Sequence, residues 1–420
     1  MELMNQPFSG QLGDRIIELL ESADYHTLNI AVAFAKNSGV LRIKDALANF
    51  RASGGKVNAY VGVDLEGTSY EALTALMLHT DSLNVVHSER GQTFHSKIYQ
   101  FSGKDNGLLV VGSHNLTGGG LWTNFESSVH IPLNGQGASE AEISKKISDY
   151  FQKLSSLEAS FMPITNQDEI EKLLDEGYVT KEVADRVRRA RAAKKDGSKE
   201  RLFGNGAPAK LPRLSSVDRE VPSEQDAANE QEVQTPYVLA PVEIATVKVE
   251  ESNQTIWFET REMTGGSRNI LDLSKRSLIE SGDPTGTSFD LGEVKFMRGG
   301  VEFFGLNPND TDQVANITIN FEGQDYFENT ILYPDGNNAN GTWRLQIKGE
   351  NSSGQKITDA FRAEGEVHYL VRKVVTFTKV TDDYFYLSVF PETNLEEFKE
   401  ASSILARNGS SRNARFLGLL

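Results

Sequence analysis

FHSKIYQFSGKDNGLLVVGSHNLTGGGLWTNFE, residues Phe94–Glu126, sets His95 and Lys97 two positions apart, follows them with an apolar run, and then reads GSHN. In extended backbone alternate side chains share a face, so His95 and Lys97 point one way while Ser96 and Ile98 point the other. Leu108–Val111 reads as a buried strand that stops at Ser113 and Asn115. Strand ends are where an α/β sheet presents functional groups. Glu126 lies on the next extended run, after a glycine-rich connection. Polar groups are costly in a core unless partnered. Five of them at the ends of apolar strands therefore mark a candidate site: His95, Lys97, Ser113, Asn115 and Glu126.

Outward from this stretch, helix and strand periodicities alternate. Gly13–Glu21, Val40–Arg51, Tyr70–His79 and Ser139–Leu154 have helical patterns. Thr27–Phe34, Lys56–Val63, Leu83–Val86, Phe94–Phe101, Leu108–Gly112 and Asn124–Ile131 have strand patterns. Alternation of this kind predicts an α/β domain of sheet and helices over residues 1–165. Residues 166–202 are polar and helical, and the chain to about Pro241 has the composition of a linker. From 242 to 420 the pattern is β: VEIATVKVE, TIWFET, VEFFGL, NITINF, RLQIKGE, YLVRKVVTF and YFYLSVF predict short strands of a mostly β domain, a barrel or sandwich. Thr393 and Glu396 have the spacing of a capping box for a helix near 394–406.

The chain has 420 residues, no cysteine and a net charge of −16. Cysteine-free composition excludes disulfides and thiolate metal sites and fits a reducing cytoplasm. No secretory leader is visible, and the longest uncharged run, Asn106–Phe125, holds five glycines and is no membrane span. The acidic total argues against a nonspecific nucleic-acid coat, because phosphate binding needs clustered Lys and Arg. The charge is uneven, however. Arg186–Arg201 carries eight Lys/Arg and two acids, and Asp218–Glu232 carries six acids and one Arg. The basic run reads either as a grip on DNA phosphates or as the solvated end of a connecting helix. The acidic run reads either as a plain tether or as a shield over an electropositive cleft.

The five candidate groups suit phosphoryl transfer. A neutral imidazole can attack phosphorus. An ammonium, a hydroxyl and an amide can hold phosphate oxygens as charge develops. A carboxylate can fix the imidazole tautomer. No Asp/Glu/His cluster with metal-ligand spacing accompanies them, so the chemistry calls for no metal or other cofactor. His114, the variable position inside GSHN, reads as a bystander, and His26, His79, His87, His130 and His368 as structural or surface residues.

HSK followed by GSHN resembles the HxK…GSxN signature of the phospholipase D superfamily. His95 to Asn115 is 20 residues and Asn115 to Glu126 is 11, a spacing that resembles the BfiI- and NgoFVII-type restriction endonucleases of that superfamily. The resemblance implies a phospholipase D-like nuclease domain in which His95 is the nucleophile, Lys97, Ser113 and Asn115 bind the scissile phosphate, and Glu126 supports His95. Ser102 stands where the lipases carry Asp, which suits the nuclease branch. A second imidazole must protonate the leaving oxygen, and the chain has no second HxK. The resemblance therefore implies a cytoplasmic homodimer with two His95 side chains facing each other.

Thr255–Leu278, TIWFETREMTGGSRNILDLSKRSL, resembles the C-terminal domain of NgoFVII-type enzymes, itself similar to the plant B3 DNA-binding fold, an open pseudobarrel. Arg261, Arg268, Asn269, Lys275 and Arg276 there have side chains able to reach bases or phosphates of double-stranded DNA. The implied function is a sequence-specific, metal-independent DNA endonuclease of restriction or phage-defence type. It would act alone or with a separate ATPase or helicase subunit, and without a membrane. A phosphatidyl hydrolase or transferase, or a DNA-binding protein with an inactive nuclease domain, are the alternatives.

Overall fold

The computed structural model describes residues 1–133, 137–196, 206–207, 209, 211–212, 214, 254–262, 268–334, 341–364 and 368–420. The acidic run 218–232, the expected strand 242–250 and positions 263–267 of the TGGS turn lie outside the described residues.

The first unit contains β1 (Glu2–Gln6), α1 (Leu12–Glu21), β2 (Thr27–Val32), α2 (Asn37–Ala52), β3 (Lys56–Gly62), α3 (Tyr70–His79), β4 (Ser82–Val86), β5 (Lys97–Ser102), β6 (Gly107–Gly112), β7 (Glu126–Pro132), α4 (Ala138–Ser155), β8 (Phe161–Ile164), α5 (Gln167–Asp175) and α6 (Glu182–Asp196). One eight-stranded sheet runs β1-β7-β6-β5-β2-β3-β4-β8. β2, β3 and β4 pair in parallel through the α2 and α3 crossovers, and the remaining pairs are antiparallel. Helices α1 to α3 bury Leu12, Ile16, Leu41, Leu47, Leu73 and Leu76 against one face, with Ile30, Val32 and Val61. On the other face α4 lays Ile147, Phe151 and Leu154 over Ala31 and Leu109. The α/β layers expected for this region are present, and two edge strands are added, β1 and β8. Both are short, and β1 alternates only at Met4 and Gln6, too little pattern to distinguish it from coil.

The second unit is β-rich: β9 (Thr255–Glu259), β10 (Ile270–Leu273), β11 (Arg276–Ser281), β12 (Phe296–Arg298), β13 (Val314–Phe321), β14 (Gln324–Leu332), β15 (Trp343–Gln346), α7 (Ile357–Ala363), β16 (Lys373–Lys379), β17 (Tyr384–Pro391), α8 (Leu395–Ala401), β18 (Ile404–Arg407) and β19 (Phe416–Leu419). Among the described residues these strands make one sheet, β10-β15-β14-β13-β17-β16-β9-β19-β18-β11-β12, parallel only between β13 and β17. VEFFGL is not a strand. Gly300–Phe304 forms a 3-10 turn that ends on Gly305 at φ +75°, and its Phe303 and Phe304 still enter the core. The helix expected over 394–406 is only α8. Thr393 lies in the 3-10 turn before it, and Ser402 ends it, releasing Ile404 into β18.

The units are docked through the β13–β14 hairpin. Gly323, at φ +78°, turns the hairpin so closely against α3 that a Cβ there would lie 2.8 Å from the Ala75 Cα. Beside it the Lys44 ammonium of α2, on a side chain 7% exposed, pairs with Asp325. Asp325 also accepts from Tyr384 Oη at 2.5 Å and Asn320 Nδ2 at 2.7 Å. Tyr70 Oη donates to Glu322 at 3.0 Å and accepts from Gln167 Nε2 at 2.7 Å. Helix α6 adds a second junction. Arg191 pairs with Glu397 and Glu400 of α8, Lys194 donates to the Glu400 carbonyl at 2.9 Å, and Arg186 donates to Thr255 Oγ1. Arg188 and Arg189 pair with Asp185. Arg186, Arg188, Arg189, Arg191 and Lys194 of the basic run are thus engaged with acceptors of this chain.

Burial at the junction raises the pKa of Glu322, reinforced by Glu364, and that of Glu71, reinforced by Glu182. A carboxyl whose folded pKa is raised holds more protons folded than unfolded, so stability falls as pH rises from the ordinary carboxylate range toward neutrality and above. Glu322→Gln should flatten that decline in urea titrations between about pH 5 and about pH 8. Asp325→Ala, which strands the Lys44 ammonium, should cost about 3–5 kcal/mol in the same titrations.

Candidate active site

The site forms where β2, β5, β6 and β7 end together. Past Val32 the chain stays extended to Lys36 and grips the GSHN loop. Leu116 N donates to the Phe34 carbonyl at 3.0 Å, and Lys36 N donates to the Leu116 carbonyl at 3.0 Å. Gly39, at the start of α2, abuts the same loop, and a Cβ there would lie 2.6 Å from the Leu116 carbonyl oxygen. His95 lies just before β5 rather than within it, although Ala33 N still bonds the Ser96 carbonyl at 2.9 Å. Its imidazole is exposed and edge-on to Phe34, with ring centroids 5.9 Å apart.

Lys97 is the first residue of β5 and is only 8% exposed. Its ammonium lies 2.8 Å from His95 Nδ1 and 3.1 Å from Nε2, and donates to the His95 carbonyl at 3.0 Å. Burial lowers the pKa of this ammonium, and the Glu126 charge partly offsets it. Asn115 accepts from Phe34 N through Oδ1 at 3.2 Å. That bond fixes which end of the amide is which and leaves the Nδ2 hydrogens as the donors of this side chain. Ser113 follows β6, receives a hydrogen bond from Ser127 N at 3.1 Å and donates its hydroxyl to Glu126. Glu126 also accepts from Asn124 Nδ2 at 3.3 Å. The five residues are therefore on adjoining strand ends, four of them in two linked pairs and Asn115 bonded to Phe34 N. His95 meets Lys97, and Ser113 meets Glu126. Glu126 holds the serine here, and its hydrogen bonds do not include His95.

Sequence reasoning passed over Gln6. Buried at the end of β1, its Nε2 reaches the carbonyls of Gly119, Gly120 and Asn124 at 3.1–3.3 Å, and its Oε1 accepts from Leu12 N. Gln6 thus shapes the turn between Asn115 and Glu126. Only its position in an unnoticed edge strand could have revealed this.

In the second unit, Arg261 pairs with Glu259 at 2.9 Å and lines an open cleft of about 820 Å³ in which Arg372 and Arg415 stand beside Glu262, Asp272 and Glu392. Lys275 lies over the Tyr333 ring at 4.0 Å, and Arg276 stacks on Phe296 while pairing with Glu293. The Asn269 carbonyl accepts from Ile347 N, and Arg268 Nε is buried without a hydrogen-bond partner among the described residues. Among the described residues no helix is long and apolar enough to cross a membrane.

No family model matches this chain, and no curated protein does. Solved structures similar to it include Nuc, a phospholipase D family member from Salmonella typhimurium. It is 17% identical, covers 39% of this chain and 97% of its own, and has a TM-score of 0.30. NucT from Helicobacter pylori is 17% identical, covering 39% and 98%, at a TM-score of 0.27. A phosphatidylserine synthase from Haemophilus influenzae is 13% identical, covering 46% of each chain, at 0.31.

Gly39→Ala tests the loop clamp. The added methyl meets backbone atoms that cannot yield by a rotamer change, so thermal unfolding should report a loss of about 1–3 kcal/mol.

Proposed function

We propose that this chain is a phosphodiesterase of the phospholipase D superfamily that cleaves DNA as a restriction-type endonuclease. The observation that carries the reading is the contact of the Lys97 ammonium with the His95 imidazole, beside the free donors of Asn115. A nucleophile, a buried cation and an amide donor then surround one position where a phosphate oxygen can sit. In the reaction His95 attacks phosphorus and a P–O bond to the sugar breaks. Lys97, Asn115 and Ser113 hold the non-bridging oxygens. As phosphate enters, Lys97 turns from the imidazole to the oxyanion, releasing the ring lone pair. Water then opens the phosphohistidine and restores His95. Glu126 keeps Ser113 in place until the phosphate takes its hydroxyl.

The departing alkoxide needs a proton from the side opposite the attack. We assign it to His95 of a second copy in a homodimer. An exposed apolar surface beside the site supports this assignment. The registers of Leu3 with Val129 and of Val129 with Val111 place all three on one face of the sheet. Leu3 and Val111 are exposed, and Phe8 and Phe125, 74% and 62% exposed, stack at 5.6 Å nearby. Such a patch is unusual on a surface that meets only water. The β-rich unit, with a cleft that offers three arginines and two asparagines among three acids, is assigned to DNA in a B3-like manner, the contacts being made to phosphates and base edges.

Plasmid DNA incubated with the protein in EDTA should be cut, and His95→Ala and Lys97→Met should each reduce the rate by at least about 100-fold. Cleavage that EDTA abolishes and magnesium restores would refute the mechanism. Cleavage of phospholipid vesicles in place of DNA would move the assignment to the lipid branch. Sedimentation should give a dimer that Phe125→Asp dissociates.

A further inference from the structure

His114, the residue between Ser113 and Asn115, is 1% exposed and fully engaged. Its Nδ1 lies 2.8 Å from the Gly120 carbonyl and its Nε2 lies 3.1 Å from Ser128 Oγ. Ser128 Oγ in turn lies 3.1 Å from His130 Nε2. The Tyr99 hydroxyl donates to the His114 carbonyl at 3.2 Å. Ser128 is buried, and His130 Nδ1 is buried without a partner among the described residues.

Only one arrangement of protons satisfies this chain when both rings are neutral. A carbonyl can only accept, so His114 Nδ1 carries the hydrogen and Nε2 carries the lone pair. Ser128 has one hydroxyl proton and gives it to that lone pair. His130 must then donate from Nε2 to Ser128 Oγ, which leaves its Nδ1 as a bare, buried lone pair. The direction of every bond thus follows from the Gly120 carbonyl. That carbonyl belongs to the turn that Gln6 also holds, so the two ends of the phosphate-binding loop are tied to one point.

We infer that His114 is a positioning residue for the proposed phosphodiesterase: its one-directional chain through Ser128 to His130 fixes the backbone from which Ser113 and Asn115 reach the phosphate. The inference rests on that functional reading and adds to it a requirement for two neutral imidazoles that take no part in the bond making and breaking. Burial lowers the pKa of both rings. The groups acting on His114 are the Gly120 carbonyl and Glu126, which oppose the shift, and those acting on His130 are Glu2, which opposes it, with Arg15 and His114, which add to it.

The test has two readouts. Long-range 15N–1H spectra of the imidazoles should show His114 as the Nδ1–H tautomer and His130 as the Nε2–H tautomer, both unchanged to below the ordinary histidine pKa. Tungstate, as a phosphate mimic, should bind the native protein, and His114→Ala should weaken binding by about tenfold or more. His114→Asn, which keeps a donor for Gly120, should recover part of the loss. Ser128→Ala, too small a change to prevent folding, should weaken tungstate binding by several-fold and raise KM for bis(4-nitrophenyl) phosphate more than it lowers kcat. The opposite tautomer, titration of His114 in the ordinary range, or unchanged tungstate affinity in both His114→Ala and Ser128→Ala overturns the inference while leaving His95 chemistry intact. Native protein that shows the stated tautomers but neither binds tungstate nor cleaves any phosphodiester overturns the functional reading, and the positioning role with it.

Discussion

Two backbone hydrogen bonds, between the extended run Phe34–Lys36 and Leu116, govern everything else at the site. On one side the GSHN loop still bonds to β7, Gly112 pairing with Ser128 and Ser113 N donating to the Ser127 carbonyl at 3.0 Å. It is held because β2 continues past the end of its sheet pairing and grips it from one direction, while Gly39 keeps α2 out of the way. From that grip follow the orientation of the Asn115 amide, which is set by Phe34 N, and the position of His95, whose ring rests edge-on to Phe34. A polar site at the ends of interior strands is tolerated only because its backbone is fixed by a core that is already complete.

This dependence explains why some of the site could be read in the sequence and some could not. His95, Lys97, Ser113, Asn115 and Glu126 break apolar runs, and a polar residue at the end of a buried strand is visible without coordinates. Their spacing followed from strand lengths, and those strands form nearly where the alternation placed them. The supporting residues send no such signal. Gln6 lies in a five-residue edge strand with too few alternations to register. His114 looked incidental because its burial depends on Gly120, Ser128 and Tyr99, which converge only in three dimensions. The partner of Glu126 was also beyond reach, since Ser113 and Glu126 meet across strands 13 residues apart.

The β-rich half was legible as a class and less so in detail. TIWFET, NITINF and YFYLSVF became strands because each alternates between core and surface or runs straight through the core. VEFFGL carries the same apolar content but is bounded by Gly299, Gly300 and Gly305, and the glycines bend it into a turn. Apolar content reports burial and does not report backbone shape. The charged helix α6 makes a related point. Its basic run reads either as a grip on DNA phosphates or as a solvated helix end, but in the fold Arg191 and Lys194 join α6 to α8 and Arg186 joins it to β9.

The hairpin at Gly323 and the helix at Arg191 fasten the two units at separate places, and two separated attachments remove the swivel that one would leave. For a nuclease of the proposed kind, that turns the protein into a gauge. Were duplex seated in the cleft beside Arg261, the phosphate reaching His95 would lie a set distance along the helix axis. A set distance along DNA is a set count of base pairs, so the place of the cut would be written in the stiffness of the junction.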